Sequence, residues 1–485
     1  MGQNGDCLRA ASSGIFFVKF NGGSRMESEK NKVNLPTQEK KDPISIFVRG
    51  DIFTKLSFII FGLSNIVRGQ VVKGLIYLVT EIAYIAYMIS QGAGNLAKLT
   101  TLGTQQQGMV FNEETGIFDM VQGDNSMLIL LWGVVTCVIT AVFICVWLVQ
   151  LYSGEQARQM KLSGRKVPGI IEDAKSLMDD NIHKLLLAVP VAGLLVFTVM
   201  PLIYMILMAF TNYDSSHQPP GNLFTWVGLK NFTTMISTSD MLSATFWPIL
   251  GWTLVWGFAA TFSCYFGGIF LAMLINSKGI GGKKVWRTIF VITMAIPAFI
   301  SLLIVGTMLG ERGILNVLLQ QWGFTTQALP FLTNVTWARV TVIVVNMWIG
   351  IPVTMLMVTG ILMNIPAELY ESAKIDGANP VIQFIKITFP YMWFVTTPYL
   401  IANLVSNFNN FSVIYFLTQG YPQTMDYYQA GKTDLLVTWL YKLTRDSNDF
   451  NLAATIGIII FILSAVFSLI SYSRSGAMKN EEGFQ

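Results

Sequence analysis

Residues 127–150 read MLILLWGVVTCVITAVFICVWLVQ and contain no charged side chain. A helix of this length measures about 36 Å, enough to cross the roughly 30 Å hydrocarbon core of a bilayer. Apolar residues follow one another continuously and do not alternate with polar ones, which argues against a barrel strand. The stretch therefore predicts a transmembrane helix.

Seven further apolar runs of similar length lie along the chain, at 72–90, 185–210, 247–275, 288–310, 339–362, 391–417 and 451–472. Of the 485 residues, 53% are hydrophobic and 12% are charged, about half the roughly 25% charged content of a soluble chain. The sequence thus predicts an all-α integral membrane protein with about eight transmembrane helices. The same composition excludes a disordered chain, a collagen-like chain and a small disulfide-scaffold protein.

Lysine and arginine are distributed unequally between the connections. Of the 32 basic residues, 25 fall on the side of the amino terminus and seven on the other side. Because cytoplasmic loops are enriched in Lys and Arg, we expect both termini in the cytoplasm. The net charge of +4 is too small to indicate a nucleic-acid partner.

Residues 1–71 form the predicted cytoplasmic amino-terminal segment. The apolar run at 15–18 is too short for a signal peptide, and Met26 begins a polar, charged stretch. We therefore interpret residues 1–25 as lying upstream of the true start. Residues 51–68 mix apolar and basic side chains, which predicts one interfacial amphipathic helix.

Patterns for nucleotide binding and catalysis are missing from the sequence. A phosphate-binding loop needs G-x-x-x-x-G-K-[ST]; residues 431–433 match its end, but Asp426 stands where the first Gly is required. The two histidines lack ligand spacing, and the four cysteines form no C-x-x-C pair. We expect no catalytic residue, no metal site and no cofactor bound by this chain.

The connection 363–390 differs from the other cytoplasmic connections, which are simply basic. It reads MNIPAELYESAKIDGANPVIQFIKITFP. Pro366 suits the first turn of a helix and Gly377 suits its left-handed end, which predicts a helix of about ten residues. An isolated helix of that length is marginal in water. The loop is therefore either an ordinary capped helix or a surface that docks on another protein.

The connection resembles the EAA loop, E-A-A-x-x-D-G-A-x(5)-F-x-x-I-x-x-P, of permease subunits of bacterial ABC importers. The matching residues are Glu371, Ser372, Ala373, Asp376, Gly377, Ala378, Phe384, Ile387 and Pro390, with Ser372 in place of the usual Ala. The resemblance implies a coupling helix in which Glu371 contacts a separate ATPase dimer and Gly377 permits the tight turn. That partner would use ATP and magnesium.

The seventh run carries a polar stripe formed by Asn403, Ser406, Asn407 and Asn410, whose spacing places them on one helical face. Amides in hydrocarbon are costly unless paired. The stripe therefore faces either a wet cavity, where amides suit neutral sugars, or neighbouring helices, where they form interhelical hydrogen bonds. The residues alone leave both possibilities open.

From the sixth run onward the chain resembles maltose/maltodextrin permease subunits. The passages that carry this are NMWIGIPVTMLMVTGILMNIPAELYESAKIDGANP, NFNNFSVIYFLTQGYP, AGKTDLLVTWLYKLT and DFNLAATIGIIIF. The resemblance implies the type I ABC importer permease fold and places the sugar against the stripe and the sixth run, at Asn407, Asn410, Ile349, Gly350, Val353, Asn403 and Ser406. The best-known member has aromatic residues in place of Val353 and Ser406, and Ser in place of Asn403. Maltodextrin is favoured, and galacto- or raffinose-type oligosaccharides stay open.

The resemblance also implies the domain organisation. Two accessory helices and a linker occupy 72–184, a six-helix permease core occupies 185–475, and a cytoplasmic tail occupies 476–485. Residues 211–246 form only a modest external loop, which points to a Gram-positive type of system in the cell membrane.

The implied partners are a second permease subunit in a heterodimer, an ATPase dimer, an extracytoplasmic sugar-binding lipoprotein, the oligosaccharide and membrane lipids. The alternative function is a self-contained, ion-coupled sugar carrier. For that mechanism Glu81 is the only carboxylate in the middle of a predicted span.

Overall fold

A computed structural model describes residues 42–112, 116–179, 181–237, 240–277 and 279–474. The interpretation of residues 1–25, the proposed start at Met26 and the predicted tail at 476–485 lie outside the described residues.

The segment before the first span contains three short helices, α1 (Pro43–Arg49), α2 (Ile52–Leu56) and α3 (Leu63–Val67). The prediction of one continuous helix over 51–68 is therefore wrong. Gly62 adopts a left-handed conformation with φ of 73°, which interrupts the helix. Arg68 folds back onto Asp51, with 2.6 Å between the charged atoms.

The first three spans are long helices, two of which contain a π-helical turn. They are built from α4 (Val71–Tyr87), a π turn (Met88–Gly92) and α5 (Ala93–Leu99); from α6 (Ser126–Leu162); and from α8 (Ile182–Leu194), a π turn (Leu195–Val199) and α9 (Met200–Met208). Strands β1 (Gly108–Asn112) and β2 (Ile117–Val121) form an antiparallel hairpin before α6, and α7 (Ile170–Met178) follows it.

The regular elements that follow in the described residues are all helices. They are α10 (Lys230–Ile236), α11 (Met241–Asn276), α12 (Lys283–Ala295), α13 (Ala298–Leu309), α14 (Ile314–Gln321), α15 (Val335–Leu362), α16 (Ala367–Ile375), α17 (Pro380–Gln383), a π turn (Phe384–Thr388), α18 (Phe389–Phe408), α19 (Phe411–Leu417), α20 (Leu436–Lys442), a π turn (Leu443–Ser447) and α21 (Phe450–Arg474).

All eight predicted runs correspond to apolar helices in the described part of the chain. Six are long enough to cross a membrane alone, and the other two are bent pairs. The fold class predicted from the sequence is thereby confirmed, with a single β-hairpin added among the described residues.

The two bent spans correct the expectation of straight helices. The fifth turns by 91° between α12 and α13, because Ile296 precedes Pro297 and is extended, with ψ of 126°. The seventh turns by 41° between α18 and α19. There Asn410 caps the new helix, its side-chain oxygen accepting the N–H of Val413, so Asn410 does not continue the helical face of the stripe.

Two compact units are present, one formed by residues 42–84 and 142–179 and the other by 85–141 and 181–474. Within the second unit, α11 contributes buried residues to three apolar clusters. In the first cluster it packs against α20 and α21, in the second against α13, α15 and α19, and in the third against α15 and α18. Helix α11 is therefore the centre of this unit.

Small residues allow α11 and α15 to approach closely, as is typical of membrane helix pairs. A Cβ atom added at Gly268 would lie 2.6 Å from Cβ of Thr354 and 3.0 Å from the backbone nitrogen of Met355. Both contacts are shorter than normal van der Waals distances, so Gly268 is required for this packing.

We expect Gly268→Ala to lower the melting temperature of the purified protein, because overpacking costs about 1–3 kcal/mol. Gly360→Ala is the matched control, since nothing lies within 4 Å of its added Cβ in α15. Thermal unfolding monitored by size-exclusion chromatography measures both. Equal melting temperatures for the two variants would contradict the packing argument.

Candidate functional site

The amides of the polar stripe form a hydrogen-bonded ladder in the seventh span. Asn403 donates to the hydroxyl of Tyr399 (2.9 Å), and Asn407 donates to the side-chain oxygen of Asn403 (2.8 Å). Asn410 donates in turn to the side-chain oxygen of Asn407 (3.3 Å). The structure therefore brings three of the four predicted stripe residues together.

Asn407 joins this ladder to α11. It is 7% exposed, and its amide nitrogen also donates to the hydroxyl oxygen of Thr261 at 2.9 Å. Its backbone carbonyl accepts the indole N–H of Trp256 at 3.1 Å. All polar atoms of the Asn407 side chain have protein partners, so this residue holds two helices together whatever else the stripe does.

Tyr399 extends the ladder to α15, and sequence reasoning did not find it. Its hydroxyl lies 3.4 Å from that of Thr354, which donates to the carbonyl of Gly350 at 3.3 Å. Tyr399, Asn403 and Asn407 recur at intervals of four residues, a spacing that could have revealed Tyr399. Thr261 has no comparable signal, because it lies on a different span.

The other predicted sugar-binding residues lie in different environments. Ser406 is exposed on α18 and makes no hydrogen bond with the ladder among the described contacts. Val353 is 41% exposed on α15. Ile349 and Gly350 are half-buried on the same helix, and Ile349 packs against the cluster that includes α13 and α19.

The predicted coupling helix is α16, and a hydrogen-bonded turn ends it. The N–H of Gly377 donates to the carbonyl of Lys374 (3.0 Å), and the N–H of Ala378 donates to that of Ala373 (2.8 Å). These two bonds, with φ of 79° at Gly377, define a Schellman motif. The spacing of Ala373, Gly377 and Ala378 in the EAA pattern is thus the spacing that this motif requires.

Helix α16 is anchored on one side and uncovered on the other. The hydroxyls of Tyr370 and Thr388 lie 2.8 Å apart, and Gln383 donates to the carbonyl of Ala378 at 2.8 Å, so the loop is tied to the start of the seventh span. The uncovered side carries apolar residues, with Leu369 50% and Ile375 87% exposed. The exposed polar residues of α16 and its C-cap are Glu368, Glu371, Ser372, Lys374 and Asp376.

Glu81 has a structural partner within its own unit. Its carboxylate accepts the backbone N–H of Phe61 at 2.8 Å. In the same turn, the side chain of Gln150 accepts the N–H of Gly62 at 3.3 Å and donates to the carbonyl of Ser57 at 2.9 Å. Glu81 and Gln150 therefore both hold the turn between α2 and α3.

The segment 418–435, between α19 and α20, contains a buried charge. The carboxylate of Asp434 lies 2.6 Å from the ammonium of Lys442 and accepts the N–H of Gly431 at 2.7 Å. Burial raises the pKa of the Asp434 carboxyl above its ordinary value, and Lys442 acts in the opposite direction. This ion pair and the bond from Trp252 to the carbonyl of Thr433 (3.1 Å) hold the segment against α11 and α20.

Comparison with known proteins agrees with this geometry. Residues 264–475, which include the EAA loop, match the sequence profile of the family described as "Binding-protein-dependent transport system inner membrane component". The chain is 33% identical over 433 residues to the maltodextrin transport system permease protein MdxF of Bacillus subtilis (strain 168), covering 87% of this chain and 95% of the relative.

Two further similarities extend the comparison. The galactooligosaccharides transport system permease protein GanP of the same organism is 31% identical over 425 residues, covering 87% of this chain and 97% of the relative. A chain from the crystal structure of a bacterial alginate ABC transporter, in complex with an alginate pentasaccharide-bound periplasmic protein, superposes with a TM-score of 0.52 at 23% identity. That superposition covers 63% of this chain and 98% of that chain, and shows the fold.

The chain therefore belongs to the family of binding-protein-dependent transport system inner membrane components. It is a multi-pass membrane protein of the permease-subunit type, which confirms the family resemblance recognised in the sequence. None of these similarities supports the ion-coupled carrier.

We expect Asn407→Ala to destabilise the protein by about 1–2 kcal/mol, because it leaves Thr261 and Asn403 without their buried partner. Asn409→Ala is the matched control, since Asn409 is exposed and bonds only to a carbonyl of its own helix. The melting temperatures of the two variants are measured by thermal unfolding in the same detergent. If Asn409→Ala lowered the melting temperature as much as Asn407→Ala, the ladder would not join the helices.

Proposed function

We propose that this chain is the transmembrane subunit of an ATP-driven ABC importer that moves an oligosaccharide of the maltose/maltodextrin class by alternating access. The observation that carries the proposal is helix α16, whose Schellman turn and exposed acidic face follow the EAA pattern. The names of the two relatives from Bacillus subtilis, both oligosaccharide permeases, support the substrate class.

Work from the ATPase enters through α16. Glu371, Ser372 and Asp376 are exposed on this helix, where they can contact a partner. The bonds from Tyr370 to Thr388 and from Gln383 to Ala378 make the loop and the start of the seventh span move together. The chain itself is not an enzyme: the partner ATPase dimer binds ATP and magnesium.

The stripe provides the polar side of the translocation pathway. Asn407 is fully occupied by protein partners, so it positions its neighbours. Asn403 and Asn410 each retain an amide hydrogen outside the ladder and are half-exposed, and Ser406 is exposed. These groups can bind sugar hydroxyls, with Ile349, Gly350 and Val353 of α15 as the apolar side.

The membrane arrangement follows from the charge distribution. With 25 of 32 basic residues on one side, both termini lie in the cytoplasm. Residues 72–184 provide the accessory helices and 185–475 the permease core, which pairs with a second permease subunit. An extracytoplasmic binding lipoprotein delivers the sugar, and the short loop at 211–246 supports a Gram-positive type of system in the cell membrane.

Gly377→Ala and Glu371→Ala should each reduce ATP-driven uptake about tenfold, as expected when an interface loses one to two kcal/mol. Gly377→Ala strains a left-handed residue by about 1 kcal/mol, and Glu371→Ala removes an interfacial carboxylate. Uptake and ATP hydrolysis are measured in proteoliposomes that contain the whole complex.

Glu368→Ala is the control for the loss of charge, because Glu368 is exposed in the first turn of the same helix. Full uptake by both test variants would refute the coupling role of α16. Sugar accumulation by proteoliposomes that contain this chain alone would favour the ion-coupled carrier.

The substrate is tested by loading the binding protein with each sugar of a panel and measuring ATP hydrolysis by the complex. We expect maltotriose to stimulate ATP hydrolysis by the complex several-fold more than a β-linked galactotriose or raffinose, since the substrate class follows the maltodextrin relative. If galactotriose or raffinose stimulated ATP hydrolysis more than maltotriose, that sugar class would replace maltodextrin as the proposed substrate. The assignment as a permease subunit would be unchanged. No response to any sugar would contradict the importer.

A further inference from the structure

An open cleft of about 550 Å³ lies between α11, α15 and the segment 418–435, at the end of α15 away from α16. Trp252 and Val255 of α11 and Arg339 of α15 line two of its walls, and Tyr427 and Lys432 line the third. All of these residues belong to one compact unit.

Two cations in this cleft are held in place by aromatic rings. The guanidinium of Arg339 lies 4.5 Å from the ring centroid of Trp252, and the ammonium of Lys432 lies 3.6 Å from that of Tyr427. Arg339 also donates from Nε (3.2 Å) and Nη2 (3.0 Å) to the backbone carbonyl of Lys432. The two positive charges are therefore fixed on adjoining walls of one opening.

These charges are not neutralised within the described residues. None of the lining residues is acidic, and no described carboxylate oxygen lies within 4.0 Å of Arg339 or Lys432. Elsewhere on this side, Lys98 is paired with Asp124 and Lys442 with Asp434. Two of only seven basic residues on this side thus converge without a counter-charge.

The chemistry of the opening selects an anion over a neutral sugar. The cations occupy one face of each aromatic ring, which removes that face from stacking with a pyranose. The N–H groups that remain free on Arg339 and Lys432 are charged donors, and these bind carboxylates best.

The cleft lies beyond the hydrocarbon of the membrane. Helix α11 has 36 residues and measures about 54 Å. Counted from its end at Asn276, about 20 residues cross the bilayer and reach back to about residue 257. The same count along α15 from Leu362 ends near residue 343, so Trp252 and Arg339 lie on the extracytoplasmic side of the hydrocarbon.

We propose that this cleft receives an acidic side chain of the extracytoplasmic binding protein, whose carboxylate pairs with Arg339 and Lys432. The inference rests on the proposed function, because it takes the membrane orientation and the partner from there. The family description itself makes transport dependent on a binding protein. A volume of about 550 Å³ holds a few side chains, which suits a local contact that orients the docked partner.

The experiment measures the affinity of the sugar-loaded binding protein of this transport system for the whole complex in nanodiscs. We expect Arg339→Gln and Lys432→Gln each to raise Kd about fivefold at about 50 mM NaCl. The wild-type complex should bind more weakly at about 300 mM NaCl than at about 50 mM NaCl, and we expect this salt dependence of Kd to be smaller in both variants. Lys432→Gln keeps the backbone carbonyl that Arg339 binds, so the fold of the segment is preserved.

Arg445→Gln is the matched control, because it removes the same charge from an exposed position of the next external turn. A second arm combines Lys432→Glu with acidic-to-lysine changes on the binding protein. Recovery of affinity by one such pair identifies the contacting carboxylate and supports the proposal.

Three outcomes would overturn the inference. They are unchanged affinity in both test variants, an equal loss in Arg445→Gln, and an effect of Lys432→Gln that appears in phosphatidylglycerol but not in phosphatidylcholine nanodiscs. The last would assign the cleft to lipid headgroups. Failure of the wild-type complex to bind the partner at all would instead contradict the proposed function.

Discussion

Hydrocarbon provides no hydrogen-bond partner, so each polar group inside a span must find one within the protein. The amide ladder of the seventh span is the clearest consequence. Tyr399, Asn403, Asn407 and Asn410 bond to one another in sequence, and Thr261 of α11 accepts the other amide hydrogen of Asn407. Amides without a partner would be costly inside the span. Because these amides are paired, they connect the helices.

The same requirement shapes the breaks in the spans. Where Pro297 and the Asn409–Asn410 pair interrupt α-helical bonding, the chain bends by 91° and 41°, and at the second break Asn410 caps the following helix. The bend in the seventh span lies at the end of the amide ladder, and the EAA loop lies at the start of that span. In the proposed function, a displacement of α16 is applied to the helix that carries the polar stripe.

The segment 418–435 contains one basic residue that lacks a carboxylate partner among the described residues and an acidic residue that forms a buried ion pair. Asp434 and Lys442 bury an ion pair that anchors the segment, while Arg339 and Lys432 remain without a carboxylate partner in the described chain. A buried pair costs desolvation and supports structure only when its geometry is good. Arg339 also holds the segment through the carbonyl of Lys432, but no described carboxylate neutralises either cation, and this separates the two pairs.

The sequence by itself determined the eight spans, the short helix after Pro366 and its left-handed end at Gly377, because continuous apolar runs and turn residues act locally. The EAA pattern also determined the family. Only the tertiary structure decided that residues 51–68 break into two helices at Gly62, that Thr261 completes the amide ladder, and that Ser406 does not join it. These outcomes depend on which helices and side chains become neighbours. Periodicity along the chain does not give such contacts, and the clearest case is the bond between Thr261 and Asn407, which are 146 positions apart.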